Sequence, residues 1–200
     1  MSEPYFNRSV SFWRDRATRQ GSRFSGQQAT DAAAQTLRIE SLINKRISQN
    51  DWFEDTLDFG CGQGRFIPLL SKVSGHVWAV DILPELNSTV RACSINVSSI
   101  TLEWPLRLPR AVDFMLAVFV FQHITDDGYM RIVADEIKRV LKPGARVLVL
   151  DNAQDKAAHV RPRTPPGFAA LLGLRPGYSA ELVTVNKRPN DHWLIDGIKT

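Results

Sequence analysis

A chain of 200 residues with 44% hydrophobic side chains carries enough apolar content for one full core, which excludes a disordered polymer and leaves little room for a second domain. Lys and Arg outnumber Asp and Glu by 25 to 21, a modest excess that usually serves solubility and in a minority of proteins marks an anionic partner such as nucleic acid. The only cysteines, Cys61 and Cys93, offer neither a disulfide framework nor a metal cluster, so no metal site is expected.

No apolar run is long enough to span a bilayer. The opening MSEPYFNRSVSFWRDR lacks the apolar core of a secretory signal, which together with cysteine usage predicts a cytoplasmic protein. Residues 5–26 are aromatic and basic with little clear period, and predict a short helix followed by a loop. In QQATDAAAQTLRIESLINKRIS, Ala32, Thr36, Ile39, Ile43 and Ile47 recur at spacings of three and four with Leu42 beside them, the stripe of an amphipathic helix. Residues 1–50 are therefore expected to form a helical cap, and 51–200 the core domain.

From residue 56 strands and helices alternate. TLDFGC is a short strand, and RFIPLLSKVS a helix that tolerates Pro68 only in its first turn. HVWAVDI is a strand, LPELNSTVRAC a helix with Pro84 at its first position, and SITLEW a weaker third strand. VDFMLAVFVF is nearly unbroken apolar sequence, as in a central parallel strand buried on both faces. DDGYMRIVADEIKRVL puts Met130, Val133, Ile137, Val140 and Leu141 on one helical face, Lys142, Pro143 and Gly144 end it, and ARVLVLD is a fifth strand. A segment rich in proline and arginine follows, with a short apolar helix at FAALLGL. AELVTV and HWLIDGIK then close the chain as an antiparallel hairpin around NKRPND. The expected fold is α/β, a doubly wound, mostly parallel seven-stranded sheet ending in that hairpin.

In such a sheet ligands bind at the carboxyl ends of the strands, where the strand order reverses. There the first strand runs into Gly60, Gly62 and Gly64. Glycine permits positive φ and close backbone approach, and the helix that follows offers free N–H groups. A dinucleotide site requires G-x-G-x-x-G, but the third position is Arg65 counted from Gly60 and Ile67 counted from Gly62. The NAD fingerprint fails in both frames.

What remains, DFGCGQG, resembles motif I of the class I methyltransferases that depend on S-adenosylmethionine (SAM). A fixed anion beside the loop repels a pyrophosphate and suits a ligand with an ammonium and a sulfonium. The resemblance implies a Rossmann-like methyltransferase fold, SAM as cofactor, Asp58 near its ammonium group, and Gly60, Cys61, Gly62 and Gly64 beneath its methionine portion and ribose. Asp81, roughly twenty positions past the first glycine, is placed to accept both ribose hydroxyls, and Ile82 to pack on adenine. Glu103 and Trp104 occupy the end of strand three, where the family often has an adenine contact, although its usual aspartate and small residue are absent. DFMLAVFVFQHITD resembles the fourth strand and its sequel, with Ala117, Val118 and Phe119 beside the cofactor and His123 in the next turn. The resemblance covers about residues 53–151.

Methyl transfer is an in-line displacement that positioning and exclusion of water can drive, and it needs a base only for a protonated nucleophile. His123 is the candidate base, or else a structural histidine. Trp13, Arg16 and Arg23 can form a lid, by cation–π attraction to a sulfonium and by pairing with the cofactor carboxylate; packing of the first helix explains Phe12 and Trp13 equally well. His159, Arg161 and Arg163 either bind an anionic acceptor or form a solvated loop. His76 and His192 border strands and receive no role.

No Asn/Asp-Pro-Pro-aromatic motif and no Pro-Cys nucleophile occur, which argues against base amino and cytosine C5 methylation; Cys61 is explained by packing within the loop. The expected function is methyl transfer to oxygen or nitrogen of a small or medium acceptor. An RNA or protein acceptor is the alternative within enzymes, and a non-catalytic SAM-binding scaffold the alternative of another class.

Overall fold

Two helices precede the first strand in the computed structural model, which describes residues 3–20, 29–48, 50–103, 105–109, 111–154, 158–185 and 191–200. Helix α1 (Glu3–Gln20) is longer than the short helix expected. Its weak periodicity conceals one aromatic face. Tyr5 and Phe6 pack on Tyr129, with centroids 5.0 and 6.3 Å apart, so tertiary contact rather than propensity sets its length. Helix α2 (Ala29–Arg46) buries Ile39 and Ile43, with Ile47 just beyond its end, as their spacing demands.

Among the described residues, seven strands form one sheet: β1 (Phe53–Phe59), β2 (Ser74–Asp81), β3 (Val97–Thr101), β4 (Val112–Val118), β5 (Leu141–Asn152), β6 (Ser179–Val183) and β7 (His192–Ile198). Their order is β3-β2-β1-β4-β5-β7-β6. The first five pair in parallel; β7 runs antiparallel to both β5 and β6. This is the doubly wound sheet with a terminal hairpin that the alternation predicts. The chain builds outward from β1 to β3, then returns to set β4 against β1, so the order reverses between those two strands.

Alternation along β4 divides the core. Phe114 and Leu116 face α2 with Val77 and Leu148, whereas Met115 and Ala117 face the opposite layer with Val147 and Val149. That second layer is helix α5 (Asp127–Val140), which buries Met130, Val133 and Ile137, and helix α6 (Pro165–Leu172), which buries Phe168 and Leu172. Asp126 caps α5 by accepting from the Tyr129 N–H at 2.6 Å, and Thr164 caps α6. Gly173 ends α6 in the left-handed conformation.

Three further expected elements differ. The helix over 65–74 shrinks to α3 (Ile67–Leu70), still with Pro68 in its first turn, because β2 claims the chain from Ser74. The next helix splits into a 3-10 turn (Pro84–Leu86) and α4 (Asn87–Arg91). The Pro-Gly turn after α5 is absorbed into β5 instead: Leu141 is already extended and pairs with Val112, and register shifts before Arg146 meets Phe114. Pro143 and Gly144 thus sit in a bulge, where a missing donor and a positive φ are tolerated.

Candidate active site

A crevice of about 530 Å³ opens at the carboxyl ends of β1 and β4, where the strand order reverses. Its floor is the turn Gly60-Cys61-Gly62-Gln63, while Gly64 is buried against Cys93, Ile67 and Val90 and does not line it. The N–H groups of Gly60 and Cys61 both donate to the Val80 carbonyl, at 2.7 and 3.1 Å, which binds the turn to the end of β2. Gly60 has φ +73°, and a Cβ there would lie 2.4 Å from Val120 Cγ2. Only glycine lets the β4 exit close over the turn. Gly62 also has positive φ, +54°, yet a Cβ there would meet nothing within 4 Å. Its surroundings are open crevice.

Asp81 closes β2 and faces this turn. Oδ2 accepts from the Gly62 N–H at 2.9 Å and Oδ1 from the Leu83 N–H at 3.0 Å. Burial raises its pKa, and these backbone donors oppose the rise. Asp58, at the end of β1, is 2% exposed, and its Oδ2 accepts no hydrogen bond. Burial and the neighbouring Asp81 push its pKa up to about 7, with Arg65 pulling the other way. Arg65 is half-buried, donates to Gln35 Oε1 at 3.2 Å, and lies over the Phe66 ring. The crevice therefore holds one buried and one half-buried carboxylate with a guanidinium nearby.

The opposite wall is apolar. Phe6, Ser9 and Trp13 of α1 line it with Val118, Phe119 and Ile124. The Tyr5 hydroxyl accepts from the Thr125 N–H at 2.7 Å and donates to the His123 carbonyl, so α1 is hydrogen-bonded to the segment after β4. Phe119 leaves β4 at φ +60°, a strained conformation for an aromatic residue, while its N–H still reaches Leu150.

His123 lines the crevice at this end. Trp13 meets its ring edge-on at 4.7 Å, and His159 stacks on it at 5.6 Å. Its Nδ1 lies 3.2 Å from the His159 carbonyl and its Nε2 3.0 Å from Gln122 Nε2. Burial, more than any neighbouring charge, lowers its pKa to about 4. Both ring nitrogens are engaged, so the ring directs no spare lone pair at an acceptor, as a general base must.

Of the other expected site residues, Cys61 and Ile82 also line the crevice, and burial raises the Cys61 thiol far above its ordinary range. Glu103 is exposed; the preceding Leu102 lines the crevice in its stead, its N–H bonded to the Asp81 carbonyl. Arg23 and Trp104 lie outside the described residues. Arg163 is turned inward and donates to the Phe121 and Ile124 carbonyls, whereas Arg161 stays at the surface and donates to Asp127 and the Thr125 carbonyl. Both tie down the segment after β4, Arg163 from within and Arg161 from the surface. Sequence reasoning missed Phe6, Ser9, Thr36, Arg65 and Val120 as crevice residues; only Arg65, next to the last glycine, carried a signal.

A sheet of this order, with an acid-flanked glycine turn at its reversal point, defines the Rossmann-like methyltransferase fold. Residues 57–149 match the family model described as methyltransferase domain, and that segment is similar to the class I methyltransferases that use SAM. Ubiquinone biosynthesis O-methyltransferase of Xylella fastidiosa (strain M23) is 27% identical over 132 residues, 62% of this chain and 51% of the relative. The chain spans about half the length of the curated relatives it matches. In fold it is similar to DhpI bound to S-adenosylhomocysteine (SAH), at TM-score 0.67 and 18% identity over 100% of this chain and 99% of that one. It is equally similar to the N-methyltransferase NodS from Bradyrhizobium japonicum WM9 in complex with SAH, at TM-score 0.67 and 16% identity over 97% and 98%.

Proposed function

We propose that this protein transfers a methyl group from SAM to an oxygen or nitrogen of a small or medium acceptor held in the crevice. The observation that carries the reading is the unpartnered oxygen of Asp58, buried in a crevice whose glycine floor leaves open space at Gly62. A buried carboxylate oxygen without a donor is costly unless a ligand supplies one, and an ammonium does. Asp81 spends one lone pair of each oxygen on backbone and retains others for a pair of hydroxyls. The residues present therefore fit the family's cofactor: Asp58 for its ammonium, Asp81 for its ribose, and Ile82 with Leu102 for its base.

When bound, SAM supplies a methyl group on a positively charged sulfur. Everything else falls to the chain. Trp13, Phe6 and Phe119 line the crevice with aromatic rings, which exclude water and can attract a cation. Helix α1, tied down through Tyr5, makes the wall that closes the crevice as a cap. Orientation and desolvation are the catalytic means this wall provides.

A crevice walled on one side by α1 suits a small acceptor better than a polymer. Five described arginines, Arg14, Arg46, Arg139, Arg146 and Arg161, are each paired with a carboxylate, which lessens their part in any open basic surface. The curated relatives are O-methyltransferases by name, which favours oxygen. Titration with SAH, followed by transfer of labelled methyl from SAM into extract fractions split into metabolite, RNA and protein, tests the reading. Label in the metabolite fraction is expected. Absent SAH binding overturns it, label in RNA or protein redirects the acceptor, and binding without transfer to any fraction makes the protein a scaffold.

A further inference from the structure

We infer that Gln122 is a positioning residue that holds His123 as the neutral tautomer protonated on Nδ1, so that the ring contributes an uncharged wall to the crevice instead of a base or a cation. The purpose of this lock rests on the cofactor reading above; the lock itself does not.

Two backbone groups of fixed polarity determine the tautomer from opposite sides. The Asn152 N–H can only donate, and it lies 2.9 Å from Gln122 Oε1. That contact orients the amide, so the Gln122 NH₂ faces His123 Nε2 at 3.0 Å and that nitrogen must accept. On the far side the His159 carbonyl can only accept, at 3.2 Å from Nδ1, which must therefore donate. Both anchors require the same form. A second proton on the ring would set two donors against each other across the Gln122 contact.

Gln122 has no freedom to relieve such a clash. It is 5% exposed, its N–H donates to Asp151 Oδ2 at 2.8 Å, and its carbonyl accepts from the Arg161 N–H at 2.7 Å. The charged and titratable groups acting on the ring are Arg16 from α1 and His159 from the segment before α6, and both oppose a positive charge there. Tyr5 of α1 touches only the His123 carbonyl. Arg163 is spent on the Phe121 and Ile124 carbonyls, and Asp151 bonds the Gln122 backbone, not the ring.

A crevice bordered by Asp58 and Asp81 attracts a cation, and a protonated imidazole in its wall would repel the same cation. Neutral His123 can instead clamp Trp13 on one side and His159 on the other, joining the cap to the body at no electrostatic cost to the ligand.

The test uses the full chain with ¹⁵N-labelled histidine, comparing wild type with Gln122→Glu from pH 5 to 8. Glutamate keeps an oxygen for the Asn152 N–H but offers the ring an acceptor. In wild type, His123 should show one protonated and one bare nitrogen at every pH. In Q122E its proton affinity should rise at least about a hundredfold, bringing its titration into the window. The ratio of SAM to SAH affinity provides the functional readout, because Asp58 faces the ammonium common to both and largely cancels. That ratio should stay flat with pH in wild type. In Q122E it should fall as pH drops through the new titration, by about tenfold for one added charge at about 10 Å and an effective dielectric near 20. Titration of wild-type His123 within the window, or a proton on Nε2, overturns the lock even if the variant does not fold. A flat ratio in a titrating Q122E overturns its electrostatic purpose. Failure of wild type to bind SAH with the tautomer as assigned defeats the cofactor reading alone.

Discussion

Replacing Asp58 with asparagine should stabilise the ligand-free protein at alkaline pH while weakening its hold on a cationic ligand. In the folded chain burial pushes the Asp58 pKa up to about 7 from the ordinary 3.8. Between those values the native state keeps a proton that the unfolded chain has released. Native protein thus binds more protons, and stability falls as pH rises through this window, then levels off above about pH 7. Each pKa unit corresponds to about 1.4 kcal/mol, so roughly three units amount to about 4 kcal/mol at pH 8 and only about 1–2 kcal/mol at pH 5. A neutral amide at this position carries no such penalty. Urea denaturation of both proteins should show the variant ahead by a margin that widens by about 3 kcal/mol from pH 5 to pH 8. An Asp58→Asn protein less stable than wild type at pH 8, or a margin independent of pH, would refute the claim that this carboxylate is buried without adequate compensation. The same preparation should bind SAM at least about tenfold more weakly, since an amide cannot match a carboxylate for an ammonium.

The glycines separate folding from binding. Gly60→Ala should cost about 2–5 kcal/mol in denaturant melts, from positive φ and the collision with Val120, whereas Gly62→Ala should cost only about 1–2 kcal/mol yet weaken SAH binding by about tenfold or more in titration calorimetry. Asp81→Ala removes the acceptor for the Gly62 and Leu83 N–H groups as well as the proposed ribose contact, so SAH affinity should drop on the order of a hundredfold, with a stability loss of about 1–3 kcal/mol. An unchanged SAH affinity in that variant would remove the ribose assignment. Trp13→Ala should loosen the cap and speed SAH release several-fold by stopped flow while thermal stability changes little, because Trp13 is only half-buried.

Most of the sheet was legible because its information is local. The unbroken apolar run of β4, the alternation of strand and helix periods, and glycines after a short strand do not depend on what they later touch. Boundaries were less so. The helix at Pro68 and the Pro-Gly turn before β5 yielded to strand pairing, since a residue that completes a ladder to β1 or β4 gains more than one extending an isolated turn. The crevice floor was found from Asp58, the glycine turn and Asp81, a pattern contained in one loop and the end of the next strand. Its far wall was not, because Phe6, Ser9 and Thr36 reach it from helices distant in sequence.

By itself, the order of residues determined the class of fold and the acidic, glycine-lined end of the crevice, both consequences of period and turn chemistry over a few neighbouring positions. Only the tertiary structure decided that α1 extends to Gln20 and walls the crevice, that Asp58 is left with an unsatisfied oxygen, and that His123 is committed on both nitrogens to Gln122 and His159. These are properties of burial and of hydrogen-bond direction between remote segments. No local pattern encodes them, because a histidine or an aspartate acquires its charge state from what surrounds it.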